Sequence, residues 1–247
     1  MISVVLIGFG NVGQHLFKAL KKKKVKVLQV YSPSQKAVKK KGTPFIHEVS
    51  EIMEADLYII AIKDDAIPSF TASLPFNNRL VVHTSGTSGI QSIASNQRRG
   101  VFYPLQTFSK KAKVPWKNIP ICIEAEQEKD LKLLQKLGAL LSEKVVEISS
   151  EERQKLHLAA VWVNNFSNHL FHLAEIYLKE NSLDFNLLKP LMKETVKKLD
   201  DFSPAEAQTG PAKRHDVKTI ETQIGLLHDL KQKEIYTLLS ESIQSKF

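Results

Sequence analysis

The feature that most restricts this chain is the run Val4-Val5-Leu6-Ile7-Gly8-Phe9-Gly10-Asn11-Val12-Gly13 near its N-terminus. An apolar β-branched stretch, three glycines spaced G-x-G-x-x-G and a helical pattern through Leu20 predict a strand, a tight turn and a helix. Each glycine has a separate physical reason. Gly8 permits the turn, Gly10 removes the Cβ that would block a pyrophosphate, and Gly13 lets the helix pack against the strand. The helix N-terminus then presents unpaired N–H groups and a positive dipole to phosphate. The expected cofactor turn is therefore Gly8, Phe9, Gly10, Asn11, Val12 and Gly13. The plainer alternative is a strand-to-helix turn in a fold without the ligand.

The first 150 residues alternate β-branched runs with helical segments, the pattern of a doubly wound parallel sheet. Strands are expected at Ser3 to Ile7, Val25 to Tyr31, Phe45 to Ile46, Leu57 to Ile62, Leu80 to Thr84, Gly100 to Tyr103, Ile119 to Ile123 and Val145 to Ile148. Helices are expected at Val12 to Lys22, Ser34 to Lys41, Val49 to Met53, Ile90 to Ser95 and Glu128 to Ser142. From Ser150 onward only helical periodicity remains, through Glu151 to Lys179, Asn186 to Asp200, Val217 to Leu230 and Lys233 to Gln244. The fold class expected is α/β, with a Rossmann domain over residues 1–150 and an all-helical domain over 151–247.

Nineteen residues after Gly13, where NAD-preferring chains carry an acid on the ribose hydroxyls, the sequence reads Tyr31-Ser32-Pro33-Ser34-Gln35-Lys36. Ser32, Ser34 and Lys36 would accept a 2′-phosphate that an acid would repel, so NADP(H) is expected over NAD(H). Ligands in such sheets sit beyond the carboxyl ends of the strands. Ala61, Ile62 and Lys63 should flank the cofactor. His83, Ser85 and Gly86 should lie near nicotinamide or substrate, with His83 either catalytic or a satisfied strand-end histidine.

In the helical half, His157, Asn164 and Asn168 fall within a narrow arc at about 100° per residue, with Asn165 and His172 beside them. Neutral polar groups on an otherwise apolar helix suggest a buried or cleft-facing stripe. It could position a carbonyl, with His157 as proton donor and an Asn as hydrogen-bond donor, or form an interhelical network. The loop Ser203 to Asp216 carries Gly210-Pro211, an Asp216 placed to cap the next helix, and Lys213 or Arg214 as candidates for an anionic substrate.

Composition narrows the partners. A net charge of +9 could suggest nucleic acid, but the lysines of 21–24, 39–41 and 110–113 fall at helix ends and loops without interleaved aromatics. No nucleic-acid partner, membrane segment or metal is expected. The start lacks the pattern of a signal peptide, which points to the cytoplasm. The single cysteine, Cys122, lies in an apolar run and reads as a packed thiol.

These motifs resemble the Rossmann-like NADP oxidoreductases whose helical C-terminal half is classed as a domain of unknown function, relatives of pyrroline-5-carboxylate reductase, ketopantoate reductase and prephenate dehydrogenase. The resemblance rests on the glycine turn, His83-Thr84-Ser85-Gly86, Tyr103-Pro104-Leu105-Gln106-Thr107-Phe108, His157 with Asn165, and Gln208-Thr209-Gly210-Pro211 with Arg214 and Asp216. It implies an NADP(H)-dependent enzyme with a small keto acid, ketone or imine bound between the domains, and a homodimer formed through the C-terminal helices. The site residues it implies are His157 and Asn165 for catalysis, and Ser85, Gly86, Gln106, Thr107, Asn168, Thr209 and Arg214 for substrate. His215 stands where such chains usually carry Gly. The competing reading is a dinucleotide-binding sensor without catalysis, which would keep the glycine turn and have no need of the polar stripe.

Overall fold

In the computed structural model, residues 1–23, 25–34, 39–110 and 112–247 are described. They form two compact units, Met1–Asn164 and Asn165–Phe247, which part within the helical segment that follows Ser150.

The first unit is built on β1 (Ser3–Ile7), α1 (Asn11–Lys22), β2 (Lys26–Tyr31), β3 (Lys39–Lys40), β4 (Thr43–Ile46), β5 (Leu57–Ile60), α2 (Ile67–Ala72), β6 (Leu80–His83), β7 (Arg98–Pro104), β8 (Ile121–Ala125), α3 (Glu128–Leu141), β9 (Val145–Glu147) and α4 (Ser150–Ala160). The sheet order is β3-β4-β2-β1-β5-β6-β7-β8-β9. Strands β4 through β7 run parallel, β8 is antiparallel to β7, and β3 is antiparallel to β4. The chain starts in the middle of the sheet, at β1, and winds outward in both directions. The reversal of strand order there opens a crevice at the carboxyl ends of β1 and β5.

Both faces of the central strands are covered, which is why their sequences read as unbroken apolar runs. Val4 and Leu6 pack with Leu16, Phe17 and Leu20 of α1 on one side. Val5 and Ile7 pack with Tyr58, Ile60 and Val81 on the other. Cys122 is buried in a third cluster with Val101 and Tyr103, and burial pushes its thiol pKa up. A neutral packed thiol fits that position.

Several elements differ from the pattern expected of the sequence. Of the helix expected over Ser34 to Lys41, residues 35–38 lie outside the described residues, and Lys39–Lys40 is a strand. Lys41 and Gly42, with φ of 47° and 77°, make the two-residue turn that folds this strand back on β4. Turns with two positive φ angles suit the twist of a hairpin, so this Lys-Gly pair outweighed helical propensity. Val49 to Met53 and Ile90 to Ser95 shorten to 3₁₀ turns, Val49–Glu51 and Ile90–Ser92. Helix α2 was not expected; Pro68 sits in its first turn, where a missing N–H is harmless. The helix expected over Glu151 to Lys179 is interrupted by π turns at Val161–Phe166.

The second unit contains α5 (Ser167–Glu180), α6 (Lys189–Lys197), α7 (Pro204–Ala207), α8 (Val217–Gly225) and α9 (Leu230–Gln244), with no strand among the described residues. Helices α8 and α9 begin at side-chain caps. Asp216 accepts from the Thr219 N–H at 3.1 Å, and Asp229 from the Gln232 N–H at 2.7 Å. Such caps satisfy N–H groups that a helix start otherwise leaves open. Apolar side chains of this unit, among them Leu187, Leu191, Val196 and Leu230, stand exposed.

Candidate active site

The site grows from the turn between β1 and α1. Gly8 has φ +96°, and a Cβ there would lie 2.3 Å from the Ala61 carbonyl oxygen. The turn is pinned on both sides by Gly8 N–H donating to Tyr31 O at 2.9 Å and Ala61 N–H donating to Ile7 O at 2.7 Å. A Cβ on Gly13 would lie 2.2 Å from the Gly8 oxygen, so helix and turn touch backbone to backbone. Gly10 differs, since a Cβ there would meet nothing within 4 Å. Its bareness serves no packing purpose among the described residues. It leaves open the space in front of α1, whose first turn carries no acidic residue. Phe9 itself points into the core, edge-on to Phe45 at 4.8 Å, and contributes only backbone to the turn.

A cavity of about 1150 Å³ opens over this turn. Gly8 to Val12 form its floor, Tyr31, Ser32 and Ser34 one end, and Ala61, Ile62, Lys63 and Thr84 the other. Those loops follow β1, β2, β5 and β6, so the cavity is the crevice at the reversal of strand order. Tyr31 packs against Phe70 at 5.2 Å between ring centroids, giving an aromatic wall. Ser32 is buried and Ser34 exposed; Lys36 lies outside the described residues. The open Gly10, the helix N-terminus free of acids and the length of the crevice fit a dinucleotide with its pyrophosphate at α1. No group of three or more His, Cys, Asp or Glu that could hold a metal occurs among the described residues.

Beyond the cavity, the segment after β6 is a hydrogen-bonded loop. Ser85 Oγ donates to Asp64 Oδ2 at 2.6 Å and accepts from the N–H groups of Thr87 and Ser88 at 3.1 and 2.9 Å. Thr87 Oγ1 donates to the same carboxylate oxygen at 2.7 Å. Asp64 also lines the cavity, so it joins the cofactor crevice to this loop. His83 is fully buried, with Nδ1 accepting from the Ser85 N–H at 3.2 Å and Nε2 3.2 Å from the Gly89 oxygen. Both ring nitrogens hold the loop. Burial, and secondarily the nearby Arg153 charge, lowers its pKa to about 4 and keeps the ring neutral.

Arg153 is the charge beneath this loop. Its side chain is fully buried, with Nη1 2.6 Å from Glu124 Oε2 and Nη2 donating to the Ser88 carbonyl and, at 3.1 Å, to Ser150 Oγ. It thereby ties the first turn of α4 to β8 and to the loop after β6. Helix α4 starts at a reciprocal cap in which Ser149 Oγ accepts from Glu152 N–H at 3.2 Å and Glu152 Oε2 from Ser149 N–H at 2.8 Å. One turn beyond Arg153, half-buried His157 meets Tyr103, whose Oη lies 3.0 Å from Nδ1. Gly86 makes room for both rings, because a Cβ there would lie 2.4 Å from His157 Nδ1 and 3.0 Å from Tyr103 Cζ.

The first unit thus brings together the cofactor turn, Ala61 to Lys63, His83, Ser85, Gly86 and His157. Gln106 and Thr107 follow β7 on an exposed loop, where Gln106 Oε1 accepts from the Thr107 N–H at 2.8 Å. Asn165, Asn168, Thr209 and Arg214 belong to the second unit, and all four are exposed. The π turns alter the polar stripe inferred from regular helix geometry. Turns bonded i to i+5 take up about one residue more than an α-turn, so an arc drawn at 100° per residue does not extend past Val161. Asn164, Asn165 and Asn168 are exposed rather than buried. Two site-shaping residues, Asp64 and Arg153, were not singled out from sequence, and Tyr103 entered only as part of a motif, without a role. An arginine in the first turn of a helix, where the dipole disfavours a cation, was the available signal for Arg153.

The sheet order, the glycine turn and the crevice above it define a Rossmann-like α/β protein. The chain belongs to the family described as domain of unknown function DUF2520, whose model matches residues 119–243. Residues 3–86 match the model described as NADP oxidoreductase, coenzyme F420-dependent. Among solved structures, a Bacteroides fragilis protein named for a proposed NADP oxidoreductase activity is 36% identical, with 99% of this chain and 98% of that one covered and a TM-score of 0.91. The pyrroline carboxylate reductase of Plasmodium falciparum, solved with NADP bound, shares the fold at 13% identity, covering 99% and 100% of the two chains with a TM-score of 0.59. An imine reductase from Aspergillus terreus, in complex with NADPH4 and dibenz[c,e]azepine, does so at 12% identity, 99% and 93% coverage and a TM-score of 0.60. No curated protein matches. Among the described residues no helix is long and apolar enough to cross a membrane.

Proposed function

We propose that this chain is an NADP(H)-dependent oxidoreductase acting on a small keto acid, ketone or imine, in the manner of a ketopantoate or pyrroline-5-carboxylate reductase. The observation that carries the reading is Gly10, left without a Cβ at a position where that atom would meet nothing within 4 Å among the described residues. A dinucleotide pyrophosphate is the group that uses such space. Ser32 and Ser34 at the adenosine end, with no acid beside them, favour a 2′-phosphate. NADPH, when bound, supplies hydride from C4 of its nicotinamide. The chain supplies orientation and a proton.

His157 is the proton donor in this reading, in preference to His83. Both nitrogens of His83 are committed to its own loop, whereas His157 is half-buried and has Tyr103 at its Nδ1. Hydride arrival leaves negative charge on the substrate oxygen or nitrogen, and an imidazole aimed there would lower the barrier. Asn165 is the amide donor in this reading, and Ser85, Gly86, Gln106, Thr107, Asn168, Thr209 and Arg214 are its substrate residues. We assign the sheet domain to residues 1–150 and the helical domain to 151–247, with a homodimer through the helices in the cytoplasm. The exposed apolar residues of α5, α6 and α9 support a second copy as their cover, since monomers rarely leave such patches open.

The test is a screen of oxo acids and cyclic imines followed by NADPH absorbance. With a substrate in hand, His157→Ala should lower turnover by roughly two to four orders of magnitude with NADPH affinity unchanged, and Asn165→Ala less. Full turnover in His157→Ala removes the histidine from the mechanism. Binding of NADPH without oxidation of any substrate favours a sensor.

A further inference from the structure

The Tyr103 hydroxyl, on the strand three places from β1 in the sheet, meets an imidazole that the cofactor crevice does not explain. We propose that Tyr103 is the positioning residue of His157, holding Nδ1 so that Nε2 is the ring nitrogen that exchanges a proton with the substrate. This rests on His157 as the proton donor.

Four observations carry it. Tyr103 Oη lies 3.0 Å from His157 Nδ1, with the rings at 67° and their centroids 6.0 Å apart. Tyr103 is buried at 8% exposure in the cluster with Val101 and Cys122, so its hydroxyl proton needs an acceptor inside the protein. Burial pushes its pKa up to about 12, and the phenol keeps that proton at physiological pH. Gly86 is bare where any side chain would strike His157 Nδ1 or Tyr103 Cζ. The loop after β6 is therefore shaped around this pair.

The consequence is a choice of tautomer. When the phenol donates to Nδ1 of the neutral ring, the ring proton resides on Nε2. When the ring is charged, both nitrogens bear protons and the phenol oxygen accepts from Nδ1. Nε2 thus carries a proton in both resting forms of the ring, neutral and charged. Reduction then balances simply: hydride forms the new C–H bond, the charge passes to the substrate oxygen or nitrogen, and the Nε2 proton of the imidazolium neutralises it. The neutral imidazole formed in that step keeps its proton on Nδ1, donated to the Tyr103 oxygen, only until solvent returns a proton to Nε2 and restores the imidazolium. A carboxylate at position 103 would instead hold Nδ1–H permanently and bias the ring toward the charged form. A hydroxyl serves both states because it donates and accepts.

The experiment is nitrogen-15 NMR of the full chain with labelled histidine, the His157 signals being those lost in His157→Gln. In the unmodified protein the neutral ring should show a bare Nδ1 and a protonated Nε2. Tyr103→Phe should average the two nitrogens toward the free-histidine mixture, and Gly86→Ala, which displaces the ring, should do the same. Turnover of Tyr103→Phe should fall roughly tenfold to a hundredfold, with its NADPH affinity unchanged. An Nδ1–H tautomer in the unmodified protein overturns the proposal even where a variant fails to fold. So does an unchanged pattern in folded Tyr103→Phe. Loss of the tautomer preference with full turnover in His157→Gln keeps the tyrosine hold and overturns the donor role on which its purpose depends.

Discussion

The carbonyl oxygen of Ala61 stands 2.3 Å from the place a Cβ on Gly8 would take, while at Gly10 the same atom would touch nothing within 4 Å. Two glycines of one motif therefore answer to different demands, the first to the fold and the second to the ligand. Gly8→Ala must displace the Ala61 backbone just after β5 or abandon its φ of +96°, and should cost about 3 kcal/mol or more. Gly10→Val, at the N-cap of α1, should change the unfolding free energy by only about 1 kcal/mol and abolish NADPH binding. Urea unfolding and cofactor fluorescence on both variants check the pair. A folded Gly10→Val that still binds NADPH would show that the pyrophosphate lies elsewhere.

Arg153 gives the second expectation. Its buried guanidinium faces the Glu124 carboxylate at 2.6 Å, and removing it leaves a carboxylate in the interior without its cation. Arg153→Met should destabilise the protein by about 3–5 kcal/mol, and adding Glu124→Gln should recover part of that loss because no uncompensated charge remains. Equilibrium unfolding of the single and double variants measures it. Equal loss in both would mean that the ion pair is incidental and the shape of the arginine is what matters.

His83 predicts the shape of the acid limb of stability. Its folded pKa of about 4 lies below the ordinary histidine value of 6.5, so between these the unfolded chain binds a proton that the folded chain refuses. Stability then falls with falling pH across that window, by up to about 3 kcal/mol at its lower end, and is unaffected above it. His83→Gln should show a flatter profile between pH 6.5 and 4 than the parent. Parallel profiles would show that His83 accepts a proton in the folded state.

Much of this fold was legible in the sequence because the signals were local. Strands β1, β2, β5 and β6, the helices α1 and α3 and the glycine turn are set by apolar runs and glycine spacing. What was hidden depends on single backbone angles or on partners distant in sequence. The Lys41-Gly42 turn outweighed a helical pattern, and the π turns at Val161–Phe166 broke a periodicity that looked continuous. Arg153 and Glu124, or Tyr103 and His157, are joined only by the packing of α4 on the strands, which no spacing rule contains. His215 is a middle case. Its φ of 53° lies in the left-handed region, which accounts physically for the glycine expected there by resemblance.

The central claim is that the crevice over Gly10 takes NADP(H), and titration of the purified chain with NADPH and with NADH tests it most directly. With no acid among Tyr31, Ser32 and Ser34 to bind ribose hydroxyls, and two hydroxyls to receive a 2′-phosphate, NADPH should bind roughly tenfold or more tightly than NADH. Equal affinities, or a preference for NADH, would contradict the account.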